Sequence, residues 1–238
     1  NIGCIPSKAL LKNADVAHTL RERGKEFGFS LDNLELDYSA AYDRSRKVSD
    51  RLVRGVKFLM KKHDIDVHMG SAKLTAKDTV EVSPDEGDVE TLKAKDIIIA
   101  TGAHTFVIPG VELDGEKVVD YETAILREEL PESAVIIGGG AIGVEFATIW
   151  NAYGVDVTIV EMLDNLLPLE DSKVGKEIEK AYKKRGIKVM TKSKVQGVET
   201  SKKGTKVTVE TEDGEETVEA GLTLVAIGFR PNSKGLGL

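Results

Sequence analysis

The sequence predicts an α/β protein with two Rossmann-like domains, each with a parallel sheet and an antiparallel β-meander. Two stretches carry this prediction: residues 96–102 (DIIIATG) and 222–228 (LTLVAIG) are apolar runs that end in glycine, and each follows short alternating strands. Such runs are typical of buried strands in parallel sheets. The third observation is a glycine-rich turn at 138–143 (GGGAIG), which lies between an apolar strand and a helix.

Two helices are expected in the first half of the chain. After Pro6, apolar residues recur at helical spacing as far as Gly24, and proline and glycine suit the two ends of a helix. A second helix is expected from about Tyr38 to His63. One stripe along this helix, expected to be buried, is formed by Ala41, Ser45, Val48, Leu52, Val56 and Leu59. The period then changes to two, which predicts a small meander before the buried strand at 96–102.

The second half contains a βαβ unit, with a strand at 134–137, a helix at 141–153 and a strand at 157–160. The elements expected after it are a helix at 171–186, a short strand, a second meander and the final buried strand at 222–228.

Composition excludes several classes of protein. The 238 residues carry a formal net charge of −7, which disfavours a nucleic-acid or anionic-membrane surface. No apolar stretch reaches the roughly 20 residues of a membrane span, and no signal peptide is visible. A single cysteine argues against a disulfide-stapled secreted domain, so a cytoplasmic protein is expected. The four histidines are scattered, so no metal site is predicted, and the lack of an initiator Met suggests a piece of a longer protein.

The turn at 138–143 fits the dinucleotide-binding pattern G-x-G-x-x-G in the strand-and-helix context that this pattern requires. Gly138 would permit the tight turn, Gly140 would let a pyrophosphate approach the backbone, and Gly143 would let the helix pack on the strand. Glu161 ends the second strand, where a carboxylate accepts hydrogen bonds from ribose hydroxyls and repels a 2′-phosphate. The pattern therefore favours NAD over NADP, and the alternative is a glycine turn that binds nothing. Glu145, two residues after the last glycine, reads as a solvated glutamate near a helix N-terminus.

Cys4 lies at the head of the first helix. The positive end of a helix favours the thiolate form, and Lys8 adds a cation one turn further on. This environment suggests an activated sulfur. The alternative is a cysteine that serves as a small buried hydrophobic residue.

The opening residues closely resemble the redox-active segment of the flavin- and pyridine-nucleotide-dependent disulfide reductases, in particular that of the members that oxidise dihydrolipoamide. The family segment reads C-x-N-x-G-C-x-P-S-K, and residues 1–8 (NIGCIPSK) match it from its asparagine onward. The words IIIATGA, IPG, GGGAIGVE, VTIVEM and AIGFRPN follow in the family's order. The resemblance thus spans the whole chain.

The resemblance implies a role for each matching residue. Cys4 would be the flavin-facing cysteine in charge-transfer contact with FAD, and its partner cysteine would lie two residues before Asn1. Lys8 would lie near the flavin and pair with Glu145, so the implied catalytic residues are Cys4, Lys8 and Glu145. Lys8 and Gly70 are the residues implied at the flavin. Thr101, Gly102 and Ala103 are implied as cofactor-binding residues at the turn where the FAD and NAD domains would meet. The implied NAD-binding residues are Gly138, Gly139, Gly140, Ala141, Ile142, Gly143, Val144, Glu145, Glu161, Val195 and Gly228.

The resemblance also implies an activity and a domain division. Electrons would pass from a dithiol, on a lipoyl-bearing protein or a small molecule, through the redox disulfide and FAD to NAD⁺. Residues 1–112 would be a partial FAD-binding domain and residues 113–238 the NAD-binding domain of a homodimeric parent. The family's FAD fingerprint, its later flavin-phosphate motif and its C-terminal base are not found in this sequence, so the piece alone is expected to be inactive. The alternatives are a mercuric or glutathione reductase, which usually favour NADP, and an NAD-binding module without turnover.

Overall fold

The computed structural model describes residues 2–238, which form two compact units. The first unit contains the described residues as far as Arg51 together with Thr105–Gly228. The second unit contains Leu52–His104 and Phe229–Leu238. The predicted division into an FAD-binding domain (residues 1–112) and an NAD-binding domain (residues 113–238) is defined by the bound cofactors. It stays a prediction.

Four of the described helices agree closely with those expected, whereas the short third helix was not predicted. Their bounds are α1 Cys4–Glu22, α2 Tyr38–Lys62, α3 Tyr121–Ile125, α4 Ala141–Ala152 and α5 Ser172–Lys184. The strands are β1 Ser71–Ala76, β2 Thr79–Ser83, β3 Glu90–Lys93, β4 Ala103–Thr105, β5 Val118–Val119, β6 Ser133–Ile137, β7 Asp156–Val160, β8 Lys188–Met190, β9 Lys194–Ser201, β10 Gly204–Thr211, β11 Gly214–Ala220, β12 Leu222–Val225 and β13 Phe229–Pro231. The α/β class is confirmed.

A parallel sheet with strand order β5-β12-β6-β7-β8 forms the centre of the first unit. Strand β12 pairs in parallel with β5 on one side and β6 on the other, and β6 pairs with β7 from Ser133↔Asp156 to Ile137↔Val160. The side chains of β12 are buried along its whole length, as the sequence predicts for residues 222–225. The second meander, β11-β10-β9, also forms in this unit.

Helix α1 packs on the same core as α4. Leu10, Ala14 and Ala17 on α1 are buried in one hydrophobic cluster with the completely buried Trp150 of α4. The small alanine side chains let the two helices approach closely. The cysteine-bearing helix is therefore part of the first unit and rests on the helix that follows the glycine turn.

The second unit contains the first meander, an antiparallel sheet with order β1-β2-β3. The prediction of a buried strand at 96–102 is wrong for this structure. Residues 97–100 form no strand, and Ile98 is 91% exposed. A buried parallel strand requires hydrogen-bonding neighbours, and the sheet described in this unit is antiparallel, with β1 and β3 at its edges.

Helix α2 extends over nearly its whole predicted length, but its predicted buried stripe stops halfway. Ala41 and Ser45 are buried, whereas Leu52, Val56 and Leu59 are between 46% and 56% exposed. Helical periodicity predicts which residues share a face, and the face is buried only where another element covers it. None of the helices in residues 2–238 combines the length and apolar character that a membrane span needs.

Candidate functional site

Cys4 is the first residue of α1, and its side chain is exposed. The first turn is closed by Ser7, whose N–H and Oγ donate to the Gly3 carbonyl at 3.1 and 2.9 Å. Pro6 falls in this first turn, where the absence of an N–H costs no hydrogen bond, so the helix begins two residues before the predicted start. The sulfur thus lies at the N-terminal end of a 19-residue helix. Asn1, which completes the sequence match, lies outside the described residues.

Lys8 and Glu145 form an ion pair between α1 and α4, with Lys8 Nζ 2.5 Å from Glu145 Oε1. The pair lies at the surface, because the two side chains are 59% and 24% exposed. The sequence separation of 137 residues hides it from any local pattern. The structure brings together the two side chains that the resemblance implies as partners, one turn from Cys4.

The glycine turn requires glycine for steric reasons. Gly138 adopts a φ of +108°, and a Cβ there would lie 2.4 Å from the Ala226 carbonyl oxygen. A Cβ on Gly143 would lie 2.0 Å from the carbonyl oxygen of Gly138, so only glycine lets α4 start this close to β6. Gly140, the N-cap residue of α4, faces open space, since no atom lies within 4 Å of its Cβ position. Of the three glycines that the pattern specifies, two are therefore packed and one can be approached by a ligand.

Glu161 lies beside this turn, at the end of β7, and is only 7% exposed. Its Oε2 accepts a hydrogen bond from the Gly139 N–H at 2.6 Å, and its Oε1 accepts one from the Leu163 N–H at 2.8 Å. Sequence reasoning assigned this carboxylate to a ribose and missed its two backbone donors. Each carboxylate oxygen has a second lone pair beyond the one that these donors use.

Glu161→Ala is expected to lower the free energy of unfolding by about 1–3 kcal/mol, because the N–H groups of Gly139 and Leu163 would lose their acceptor. Glu161→Gln keeps one carbonyl oxygen and should lose less. Chemical denaturation of both variants measures the difference. Equal stability of the alanine variant and the unsubstituted protein would contradict a stabilising role for the hydrogen bonds that Glu161 accepts from these two N–H groups.

The other residues implied at the dinucleotide site differ in accessibility. Ala141 is exposed, whereas Val144 is buried and its carbonyl accepts hydrogen bonds from Thr148 Oγ1 and Tyr182 Oη. Ile142 is half-buried against the core. Val195 is 6% exposed and packs in a cluster of valines, so its side chain faces the interior. These positions stay predictions as ligand contacts.

Gly228 follows β12 at the carboxyl end of the parallel sheet. It has a φ of +124°, and its carbonyl accepts a hydrogen bond from the Phe106 N–H at 2.9 Å. The carboxyl ends of parallel strands are where nucleotides bind in folds of this class. The position of Gly228 is therefore compatible with the predicted contact.

In the second unit, Asn232 holds the segment that contains Thr101, Gly102 and Ala103. The backbone N–H of Asn232 donates to the Gly102 carbonyl at 3.0 Å, and its side-chain Nδ2 donates to the Thr101 carbonyl at 3.2 Å. The backbone carbonyl of Asn232 accepts a hydrogen bond from Thr101 Oγ1 at 2.7 Å. Its side-chain oxygen pairs with His104 Nδ1 at 2.7 Å. Sequence reasoning interpreted the histidines, His104 among them, as surface or satisfied residues, and it gave Asn232 no role. The hydrogen bonds between residues 100–104 (ATGAH) and 230–232 (RPN) join segments about 131 residues apart, and they give His104 and Asn232 a structural role.

Gly70, the last residue implied at the flavin site, precedes β1 with a φ of +151°. A Cβ there would lie 2.4 Å from the Ser83 carbonyl oxygen, so close packing of the meander already accounts for a glycine. Residues 2–238 contain no group of three or more His, Cys, Asp or Glu side chains that could hold a metal ion.

Comparison with known proteins agrees with this geometry. The family model described as pyridine nucleotide-disulphide oxidoreductase matches residues 1–238. The chain is 48% identical over 241 residues to a dihydrolipoyl dehydrogenase of Mycobacterium leprae and 45% identical over 238 residues to one of Mycobacterium tuberculosis. Each alignment covers 100% of this chain and 51% of the relative.

Solved structures give the same assignment. The chain superimposes on LpdA from Mycobacterium tuberculosis with a TM-score of 0.87 and 25% identity, over 98% of this chain and 50% of that one. It matches the HOCl-induced flavoprotein disulfide reductase RclA from Escherichia coli with a TM-score of 0.77 and 27% identity, over 99% and 49%. The chain thus spans about half the length of the curated relatives it matches. From the match along the whole chain, the glycine turn and the cysteine helix, we conclude that this chain belongs to the pyridine nucleotide-disulphide oxidoreductase family.

Proposed function

We propose that the full-length protein is a dihydrolipoyl dehydrogenase, which oxidises dihydrolipoamide to lipoamide and passes the electrons through a redox disulfide and FAD to NAD⁺. One observation carries the proposal. An exposed cysteine begins α1, and the Lys8–Glu145 ion pair connects this helix to α4, the helix that follows the glycine turn. The 48% identity to a protein named dihydrolipoyl dehydrogenase supports this choice within the family.

The chain's own part in the reaction is thiol–disulfide exchange. In the oxidised enzyme Cys4 would form a disulfide with a cysteine that precedes this stretch in the family segment. One substrate thiolate attacks that partner's sulfur, a mixed disulfide forms, and the Cys4 thiolate leaves. The second substrate thiolate attacks the mixed disulfide, releases the partner thiolate and closes the ring of lipoamide. Two electrons then reside on the cysteine pair, with the Cys4 sulfur at the N-terminal end of α1.

The residues present fit both cofactors. For NAD, the open side of Gly140 and the first N–H groups of α4 offer a pyrophosphate site, with Glu161 beside it for the ribose. For FAD, the Lys8 ammonium uses one of its three donors on Glu145 and keeps others for flavin heteroatoms. Gly70 and residues 101–103 stay predictions from the family resemblance. When bound, the flavin accepts the two electrons and the nicotinamide carries them away as a hydride.

Two alternatives make different predictions. A mercuric or glutathione reductase would prefer NADP, whereas the buried Glu161 carboxylate beside the turn opposes a 2′-phosphate. An NAD-binding module would bind NAD and turn over no dithiol. The proposed parent is a cytoplasmic homodimer whose substrate is carried by a lipoyl-bearing protein.

The decisive experiment is a steady-state assay of the full-length protein with dihydrolipoamide and either NAD⁺ or NADP⁺. We expect turnover with a strong preference for NAD⁺. Binding of NAD without turnover would support the module, and a preference for NADP⁺ would support the related reductases.

The ion pair between α1 and α4 should matter more for activity than for stability. Lys8→Met in the full-length enzyme is expected to lower kcat by about a hundredfold, because a charge next to the reacting groups is lost. The same change should alter the free energy of unfolding by no more than about 1 kcal/mol, since the pair is exposed. Rapid kinetics and thermal unfolding measure the two effects.

Lys12→Met is the matched control for this prediction. Lys12 lies on the same helix and forms its own exposed ion pair with Asp15 at 2.8 Å. We expect normal activity from this variant. An equal loss in both variants would show that the effect of Lys8 is not specific to its position.

A further inference from the structure

The segment between β7 and α5 contacts the middle of the glycine turn. Leu166 in this segment is completely buried, although its neighbours Leu163 and Leu169 are 47% and 97% exposed. Leu167 has a φ of +51°, a conformation that residues with a Cβ rarely adopt. A non-glycine residue persists in this conformation where the surroundings fix it.

Gly139 is held at each of its three available groups. Its N–H donates to Glu161 Oε2 at 2.6 Å, and its carbonyl accepts a hydrogen bond from the Leu167 N–H at 2.8 Å. The place where its Cβ would lie is 2.5 Å from Leu166 Cδ2. In the pattern G-x-G-x-x-G this residue is one of the variable positions, yet here its N–H, its carbonyl and its Cβ position all meet neighbouring atoms of the fold.

The next residue, Gly140, is the one that faces open space. The Gly139 carbonyl and the Gly140 N–H belong to the same planar peptide group. Fixing the carbonyl from one side with Leu167 therefore fixes the direction of the N–H on the other. The N–H groups at the start of α4, beginning with this one, have no acceptor within the helix.

We propose that Leu166 and Leu167 are positioning residues of the dinucleotide site, which lock the peptide group between Gly139 and Gly140 so that its N–H is presented to the pyrophosphate. This inference rests on the proposed function, since it requires NAD to bind at 138–143. It adds a segment outside the sequence motif to that site. It also explains why position 139 carries no side chain, because Leu166 Cδ2 occupies the space beside it.

The proposal is tested by a double-mutant cycle in the full-length holoenzyme, with Gly139→Ala, Leu166→Ala and both together. Calorimetric titration with NAD gives the Kd of each variant, and the flavin absorbance confirms equal FAD content. Leu166→Ala alone should raise the Kd about tenfold, and Gly139→Ala alone should raise it by at least as much. When Leu166 is already alanine, the methyl group added by Gly139→Ala has room. Gly139→Ala should therefore raise the Kd about tenfold less in the Leu166→Ala background than in the unsubstituted protein.

Leu222→Ala is the matched control. Leu222 is 1% exposed in the same core cluster, but it pairs with Ala134 at the other end of β6 from the glycine turn. It should lower the melting temperature about as much as Leu166→Ala and leave the Kd for NAD within about twofold. If Leu166→Ala fails to fold, Leu166→Val removes the same δ-carbons with a smaller loss of volume and takes its place in the cycle.

The outcomes separate the two proposals. If the unsubstituted holoenzyme does not bind NAD, the proposed function and this inference both fall. If it binds NAD and the effects of Gly139→Ala and Leu166→Ala simply multiply, only the positioning role falls. The same conclusion follows if Leu222→Ala weakens NAD binding as much as Leu166→Ala does.

Discussion

Cys4→Ser in the full-length enzyme is expected to lower the rate of dihydrolipoamide oxidation by at least about a thousandfold, because a hydroxyl cannot replace a thiolate in disulfide exchange. The variant should fold normally, since the Cys4 side chain is exposed and its Sγ fills no core position. Steady-state kinetics and calorimetric titration with NAD measure the two properties separately. NAD should bind with unchanged affinity, because the cysteine helix contributes no residue to the glycine turn.

Two results would contradict the assignment of Cys4. One is a serine variant with more than about a tenth of the original activity, which would mean that exchange proceeds without this sulfur. The other is an oxidised full-length protein in which Cys4 reacts with a thiol-specific reagent. In the proposed enzyme that sulfur is part of a disulfide until substrate or a reductant is added.

Gly143→Ala is expected to destabilise the fold by at least about 3 kcal/mol, because its Cβ would lie 2.0 Å from the Gly138 carbonyl oxygen. The contact involves backbone on both sides, so no side chain can rotate to relieve it. Thermal unfolding should show a large fall in melting temperature, and NAD binding should be lost with it.

Gly140→Ala separates the two roles of glycine in this turn. Its φ of −73° is accessible to alanine, and no atom lies within 4 Å of the new methyl group. This variant should unfold near the normal temperature but bind NAD at least about tenfold more weakly, because the methyl group occupies the side where the pyrophosphate approaches. Comparable loss of stability in the two variants would contradict this division of roles.

The parts of the structure that could be predicted from the sequence are those determined by residues near one another in the chain. The β6–α4–β7 unit is one example, since its strand, glycines, helix and acidic residue occupy fewer than 30 consecutive positions. The start of α1 was predicted to within two residues for the same reason. The Lys8–Glu145 pair came only through the family resemblance, because nothing in the local sequence links positions 137 residues apart.

The features that were missed depend on contacts between distant segments. The apolar run at 97–100 has strand composition, but burial requires neighbouring strands, which the second unit does not provide in the residues described. The second half of α2 has the helical periodicity of a buried face, but Leu52, Val56 and Leu59 on that face are exposed. Asn232 and Leu166 carry no sequence signal of their own, and their roles appear only when the backbone they touch is known.

The strand order of the parallel sheet has a consequence for biosynthesis. Strand β12 is synthesised after all the other strands of that sheet, yet it lies between β5 and β6 rather than at an edge. While the ribosome translates the meander, the hydrogen-bonding edge of β6 that β12 will occupy is unsatisfied, and such edges invite pairing with other chains. During translation of β9, β10 and β11, the nascent polypeptide therefore exposes a strand edge that is filled only after residue 225 has emerged.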